Sequence, residues 1–239
     1  MNQWNPLITT DEVKRKYKIF MSRYGDKFSD QLKKEMDIHF VKRAGKFDNP
    51  TDFYQLYDYF GIIPDDVNMY IYHLNAIKER FNLNSNILEI AGGSYPSFAR
   101  RVAREQLKTG IGTITVYDPK LVTNHSYKYS NLKLYPEKFD SSVDVSNFDL
   151  LVGIMPCNAT DEMIDAIYKY NKDFYISFCG CSSYNFFNFF LGMPLPSYYN
   201  QIEYLKSVCE EKKLGELMVE YLPDKYNIEY PVVYNKRKI

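Results

Sequence analysis

Neither sign of charge prevails in this 239-residue chain: 30 Lys and Arg side chains stand against 30 Asp and Glu, for a formal net charge of zero. That balance excludes a general electrostatic attraction to nucleic acid or to an anionic membrane, leaving only a local basic face at Arg100, Arg101 and Arg104. No apolar run approaches the roughly 18 residues of a membrane span, and residues 1–10 lack the basic and apolar regions of a signal peptide. The expectation is a cytoplasmic protein without a membrane partner. Cysteine is scarce, with 4 in the chain, and without an export signal these read as reduced thiols rather than a disulfide framework. Cys157, Cys179 and Cys181 fall at expected strand ends, but Cys-x-Cys is not the usual zinc-knuckle spacing, and His39, His73 and His125 are scattered. No metal is therefore expected. A serine-nucleophile elbow, a phosphate-binding P-loop, internal repeats and low-complexity tracts are also missing.

What the chain does have is a strand, a glycine turn, a helix and a second strand within residues 86–119. Ile87, Leu88 and Ile90 form an apolar run that enters Ala91-Gly92-Gly93-Ser94; an amphipathic stretch, 97–108, leads to the β-branched run Ile114-Thr115-Val116-Tyr117. That order predicts two parallel strands joined by a crossover helix. Phe98, Val102 and Leu107 are expected to face the sheet and Arg100, Arg101 and Arg104 the solvent, with Pro96 in the first helical turn. Gly92 and Gly93 permit a sharp turn and close approach of a ligand, and the free N–H groups of the helix start favour an anionic group.

The string L-E-I-A-G-G-S-Y-P, with V-Y-D-P closing the next strand, resembles motif I of the class I S-adenosylmethionine (SAM)-dependent methyltransferases, E/D-x-G-x-G-x-G. By position, Glu89 matches the motif's acid, Ala91 its first glycine, Gly93 its second and Tyr95 its third, while Asp118 matches the acid that holds the ribose hydroxyls. The resemblance implies SAM as cofactor, bound by Glu89, Ala91, Gly92, Gly93, Ser94, Tyr95, Asp118 and Pro119, with Met155 and Pro156 from a neighbouring strand end. A dinucleotide-binding fold shares the general spacing between glycines and acid. Tyr95-Pro96, where that fold wants a small residue, and Glu89 before the turn disfavour it.

Residues 1–82 read as a helical prefix, with helices at 13–24, about 32–40, 53–60 and 67–81. In proteins this chain resembles, such a prefix covers the cofactor or shapes the substrate pocket; the plainer reading is packing on the sheet. Tyr54, Tyr57, Tyr70, Tyr72 and His73 are its residues best suited to touch a ligand, though aromatics at this spacing are more often core. Residues 83–239 then carry strands at 133–135, 148–154 and 174–178, a helix at 162–170 and a polar connection at 121–132. Glu137 and Asp140 are candidates to lie near the adenine, as the resemblance implies. An aromatic loop, 182–199, is expected to be buried, as a lid beside the pocket. A helix, 197–213, and two strands, 216–222 and 229–234, close the chain. The terminal strand pair is what the class I methyltransferase sheet adds to a dinucleotide-binding one. The expected fold is α/β: a seven-stranded mixed, mostly parallel Rossmann-like methyltransferase sheet with helices on both faces, preceded by the helical segment.

Methyl transfer from a sulfonium depends on in-line positioning, so the lack of a catalytic triad fits it. Cys157 is a candidate to line the transfer position and Asn158 to orient an acceptor; otherwise the two only turn the chain into the next helix. Met155-Pro156-Cys157-Asn158 lacks the second proline and the aromatic of the N/D-P-P-Y/F motif of base-amine methylation, so DNA adenine methylation is not expected, and the neutral chain with its aromatic-rich prefix and loop suggests a small or planar acceptor over a nucleic acid. Two other readings stand beside this one. The G-G-S-Y-P turn also resembles that of nicotianamine synthase-like enzymes, which transfer the aminocarboxypropyl chain of SAM, and the missing glycines suit a non-catalytic binding module.

Overall fold

Strands buried on both faces read as near-continuous apolar runs. Accordingly β1 (Asn86–Ile90) is buried in all but its first residue and β4 (Leu150–Ile154) throughout. The computed structural model describes residues 65–123, 129–156, 159–178, 197–223 and 231–236, with isolated positions within 18–63. Around β1 and β4 lie β2 (Thr113–Tyr117), β3 (Leu132–Tyr135), β5 (Asp173–Ser177), β6 (Glu216–Tyr221) and β7 (Pro231–Lys236), in the order β3-β2-β1-β4-β5-β7-β6. The pairs among β1 to β5 are parallel, whereas β7 runs antiparallel to both its neighbours. The sheet is thus seven-stranded and mostly parallel, as expected.

Among the described residues four helices accompany it: α1 (Met69–Arg80), α2 (Ser97–Thr109), α3 (Thr160–Tyr170) and α4 (Ser197–Lys212). A short 3-10 turn, Asp65–Val67, precedes α1, so this helix starts later than the expected residue 67. Its start is fixed by Asn68, whose Oδ1 accepts from Tyr70 N at 3.0 Å. Gly110, at φ +70°, ends α2 and donates its N–H to Gln106 O.

The register sorts the helices by face. Val116, Glu89, Val152, Tyr175, Tyr234 and Met218 form one row across six strands and project to one side. On that side α2 reaches Glu89 and α1 reaches Tyr175. On the other, Leu88, Leu151, Phe174, Ile176 and Val233 pack with Met163 and Ile167 of α3 and with Leu205 and Val208 of α4. Gly153 makes room for that layer, since a β-carbon there would sit 2.9 Å from Met163 Sδ and from Pro156 Cγ.

Several expectations need correction. Leu107 is 43% exposed, and its neighbour Gln106 turns inward. Leu83 and Ser85 present bare carbonyls under the helix, and the Gln106 amide donates to both, at 2.8 and 3.0 Å, as a leucine cannot. Arg100 and Arg101 are half-buried, so only Arg104 of that trio is fully in solvent. Strand β4 begins two residues late because Asp149 clamps Asn86: its Oδ2 accepts from Asn86 N and its N donates to Asn86 O, each at 2.8 Å.

The chain divides into two compact units, Met1–Ile63 and Pro64–Ile239. Helix α1, read above with the prefix, therefore belongs to the sheet-bearing unit, where Arg80 Nη2 lies 3.0 Å from Glu220 Oε2 of β6. The three earlier prefix helices fall almost wholly outside the described residues, as do 182–196 of the aromatic loop.

Candidate functional site

Two carboxylates flank the turn that follows β1: one ties the strand to α2 and the other bonds the turn itself. Glu89, the penultimate residue of β1, is 2% exposed, and its Oε2 accepts from Ala99 N in the first turn of α2 at 3.1 Å. Burial pushes its carboxyl up to about 8, against the opposing pull of the Ala99 bond, and the nearby Asp118 charge adds to the rise. Asp118, just past β2, accepts from Gly93 N through Oδ2 at 2.9 Å and from Lys120 N through Oδ1 at 2.7 Å. The Gly93 bond joins the glycine turn directly to the end of the second strand.

Backbone geometry explains what the sequence shows there. Ala91 sits at φ +60° and Gly93 at φ +76°, so the two positions that match the resembled motif's first two glycines are both left-handed, the first carried by alanine. The alanine costs about 1 kcal/mol of strain, and Ala91 N still donates to Tyr117 O at 2.8 Å, extending the β1–β2 ladder. Gly92 is demanded by space: a β-carbon there would meet Val116 Cγ1 at 2.4 Å and the Glu89 carboxyl carbon at 3.2 Å. Tyr95, at the third glycine position, is fully buried, and Ser94 is nearly so. Ser94 O accepts from Val122 N at 3.1 Å, tying the loop after β2 to the turn. Pro119 is exposed.

The end of β4 lies beside this turn because β4 is the other neighbour of β1. Met155 adopts φ +54° and donates its N–H to Ser177 O of β5 at 2.8 Å, while Pro156 is buried. Cys157 and Asn158 lie outside the described residues, as do Cys179 and Cys181. Asp140 Oδ1 accepts from both the N–H and the hydroxyl of Ser142, which holds this exposed carboxyl below its ordinary range. No group of three or more potential metal ligands occurs among the described residues.

Other features of this sheet edge escaped the sequence. Tyr117 and Tyr135 stack with ring centroids 4.7 Å apart at the ends of β2 and β3, next to Asp118. Only their register pairing brings them together. His73 of α1 is fully buried and shares a hydrogen bond of 2.8 Å between Nδ1 and Tyr175 Oη. Helical spacing alone gave His73 a choice between core and ligand contact, and nothing signalled Tyr175. A groove of about 350 Å³ runs along α1, lined by Asp65, Asp66, Tyr72, Glu79 and Arg80 among others.

No protein-family profile matches the chain, and no curated protein matches it either. Among solved structures it is similar to an S-adenosyl-L-methionine-dependent methyltransferase, so described as putative, from Methanococcus maripaludis, with 11% identity, 100% of this chain and 98% of that one covered, and a TM-score of 0.44. The magnesium protoporphyrin IX methyltransferase of Synechocystis PCC 6803, crystallised with S-adenosylhomocysteine (SAH), gives 8% identity, 72% and 84% coverage and a TM-score of 0.43. Human N-acetylserotonin methyltransferase in complex with SAM gives 12% identity and a TM-score of 0.40; the match covers 72% of this chain and only 54% of the human one. Strand order, strand direction and the glycine-turn crossover, taken from the molecule itself, give this chain the Rossmann-like methyltransferase fold.

Proposed function

We propose that the chain is a SAM-dependent methyltransferase acting on a small-molecule acceptor. One observation carries the reading: at the ligand-binding edge of a sheet with an inserted antiparallel strand, Asp118 holds Gly93 N of the glycine turn, while Glu89, beside Gly92, anchors the first turn of α2 through Ala99 N. The residues fit the cofactor. Gly92 leaves no space for a β-carbon, so the turn keeps a bare backbone, and the start of α2 favours the carboxylate of an amino acid. Each Asp118 oxygen uses one lone pair on a backbone N–H and retains another for a ribose hydroxyl. When bound, the cofactor supplies a methyl group on a positively charged sulfur.

The chain's part is to bind and orient. Glu89, shifted toward its neutral form, limits the negative charge beside Asp118. Ala91, holding φ +60° without a glycine, keeps the left-handed turn that leads into Gly92–Gly93. Met155 and Pro156 form the next wall, and Cys157 and Asn158 are assigned, from sequence, to the transfer position and to acceptor orientation. Rate then comes chiefly from holding the acceptor in line with the methyl group.

Calorimetric titration of the purified chain with SAM, SAH and NAD tests the proposal. SAM and SAH are expected to bind in the micromolar range, NAD not to bind, and Asp118→Ala, verified as folded by circular dichroism, to lose at least about tenfold in affinity. Absence of binding by either sulfur nucleotide would sink the proposal.

A further inference from the structure

Glu89 and Asp118 meet one glycine turn, and among the described residues neither carboxylate has a cation for a partner. Glu89 is 2% exposed and Asp118 8%. The Glu89 carboxyl lies against Gly92, its carbon 3.2 Å from where a β-carbon of that residue would stand. Its Oε2 takes Ala99 N, and its Oε1 has no hydrogen-bond partner among the described residues. The charges around it do not neutralise it. Asp118, at the end of β2, adds repulsion, and Val152, its register neighbour in β4, is neutral. Arg100, Arg101 and Arg104 of α2 and Lys120 after Asp118 form no ion pair with it, while Lys78 and Arg80 of α1 are held by Glu105 and Glu220.

A buried carboxylate with no countercharge either gains a cation or takes up a proton. The described residues supply no cation here, and burial takes Glu89 up to about 8, so at pH 7 its carboxyl holds a proton. An amino acid whose carboxylate sits at the start of α2 brings a cation to the same place, because its ammonium is carried on the carbon next to that carboxylate. The first turn of α2 is also where Ala99 N meets Glu89. Proton and ammonium therefore answer the same unpaired charge.

Resting on the methyltransferase reading, we propose that Glu89 selects the cofactor by its amino group: the carboxyl is neutral in the free protein and gives its proton to the solvent as the α-ammonium enters beside the turn. No bond of the cofactor changes, and one positive charge replaces another next to Asp118. Cofactor and protons then compete for the turn, so affinity rises with pH until the free carboxyl is itself ionised. A nucleoside without an amino-acid end cannot drive the exchange.

Calorimetric titration of the parent protein with SAH at pH 7, in phosphate and in Tris, counts the protons released, because the two buffers differ widely in heat of ionisation. About one proton per SAH is expected, and none with 5′-methylthioadenosine, which has the nucleoside but lacks the amino-acid chain. SAH affinity is expected to rise by up to about tenfold per pH unit between roughly pH 5.5 and 7.5, and to stay level in Glu89→Gln, which releases no proton. Infrared difference spectra of the parent need no variant: a protonated-carboxyl band is expected to vanish as SAH binds. SAH binding with that band unchanged, without proton release, or with equal release by 5′-methylthioadenosine or in Glu89→Gln would overturn the assignment and leave the methyltransferase reading intact. No SAH binding at any pH would overturn both.

Discussion

At Gly92 one methyl group decides whether the turn can close. Its conformation does not require glycine, but a β-carbon would press on Val116 in the middle of the sheet and on the Glu89 carboxyl. Gly92→Ala is expected to lower stability by about 1–3 kcal/mol, as overpacked cores do, read as a shift of the urea midpoint at unchanged slope. Glu89→Gln tests the opposite sort of change. The folded carboxyl, at about 8, lies above its ordinary 4.5, so its contribution to stability is complete below pH 4.5 and is lost as pH rises toward 8. The glutamine keeps an oxygen for Ala99 N and does not titrate. Its stability relative to the parent is expected to improve between pH 5 and pH 8, by at most about 1.4 kcal/mol per pH unit. Glu89, Gly92, Gly93 and Asp118 were legible in the sequence because a strand, a turn and a strand fix their spacing locally. His73 and Tyr175 meet across 102 positions, and no local pattern announces such a pair. Gln106 was hidden for another reason: its partners are backbone carbonyls, which side-chain hydropathy does not register.

Among the elements, α1 depends most on its first residue. Removing the Asn68 cap with Asn68→Ala is expected to cost about 1 kcal/mol in thermal or urea unfolding, because Tyr70 N then loses its acceptor in a buried setting. The β4–α3 contact has a similar single point of control. Gly153→Ala places a methyl 2.9 Å from Met163 Sδ and from Pro156 Cγ, and although the flexible Met163 can move, the proline ring cannot. The prediction is a loss of about 1–3 kcal/mol with SAH affinity also reduced, since Pro156 borders the proposed site. Element types came through well in the sequence because each amphipathic or apolar run has one period along its length. Boundaries shifted where a side chain ended or delayed an element, as Asp149 does at β4 and Asn68 at α1.

For the whole molecule, two buried groups with opposite shifts shape the dependence on pH. His73 falls from 6.5 to about 3, so the fold loses stability as pH drops below 6.5, down to about 3. Glu89 makes it lose stability as pH climbs from 4.5 to 8. Between pH 4.5 and 6.5 the two slopes cancel, giving a plateau with a decline on each side of up to about 1.4 kcal/mol per unit. Glu105, Asp140 and Asp144, all held below their ordinary values by neighbouring hydrogen-bond donors, add to the acid-side fall. Urea unfolding from pH 3.5 to 8.5 checks this, and a stability that rises steadily from pH 6.5 to 8 would contradict it. The α/β class and the seven strands could be read from alternating runs. The place of β7, between β5 and β6, could not, because sequence order says nothing of which gap a last strand enters.

That position sets a timetable for synthesis. A nascent chain that has left the ribosome through Tyr221 has β6 in hand but nothing beside it, and β5 still shows the open edge on which Pro231–Lys236 must settle. Two unpaired edges with a vacancy one strand wide invite pairing with other chains. Translation pausing between Tyr221 and Pro231 should therefore be the interval in which this protein most needs a chaperone, and a stop codon there should yield aggregates rather than a shortened but folded product.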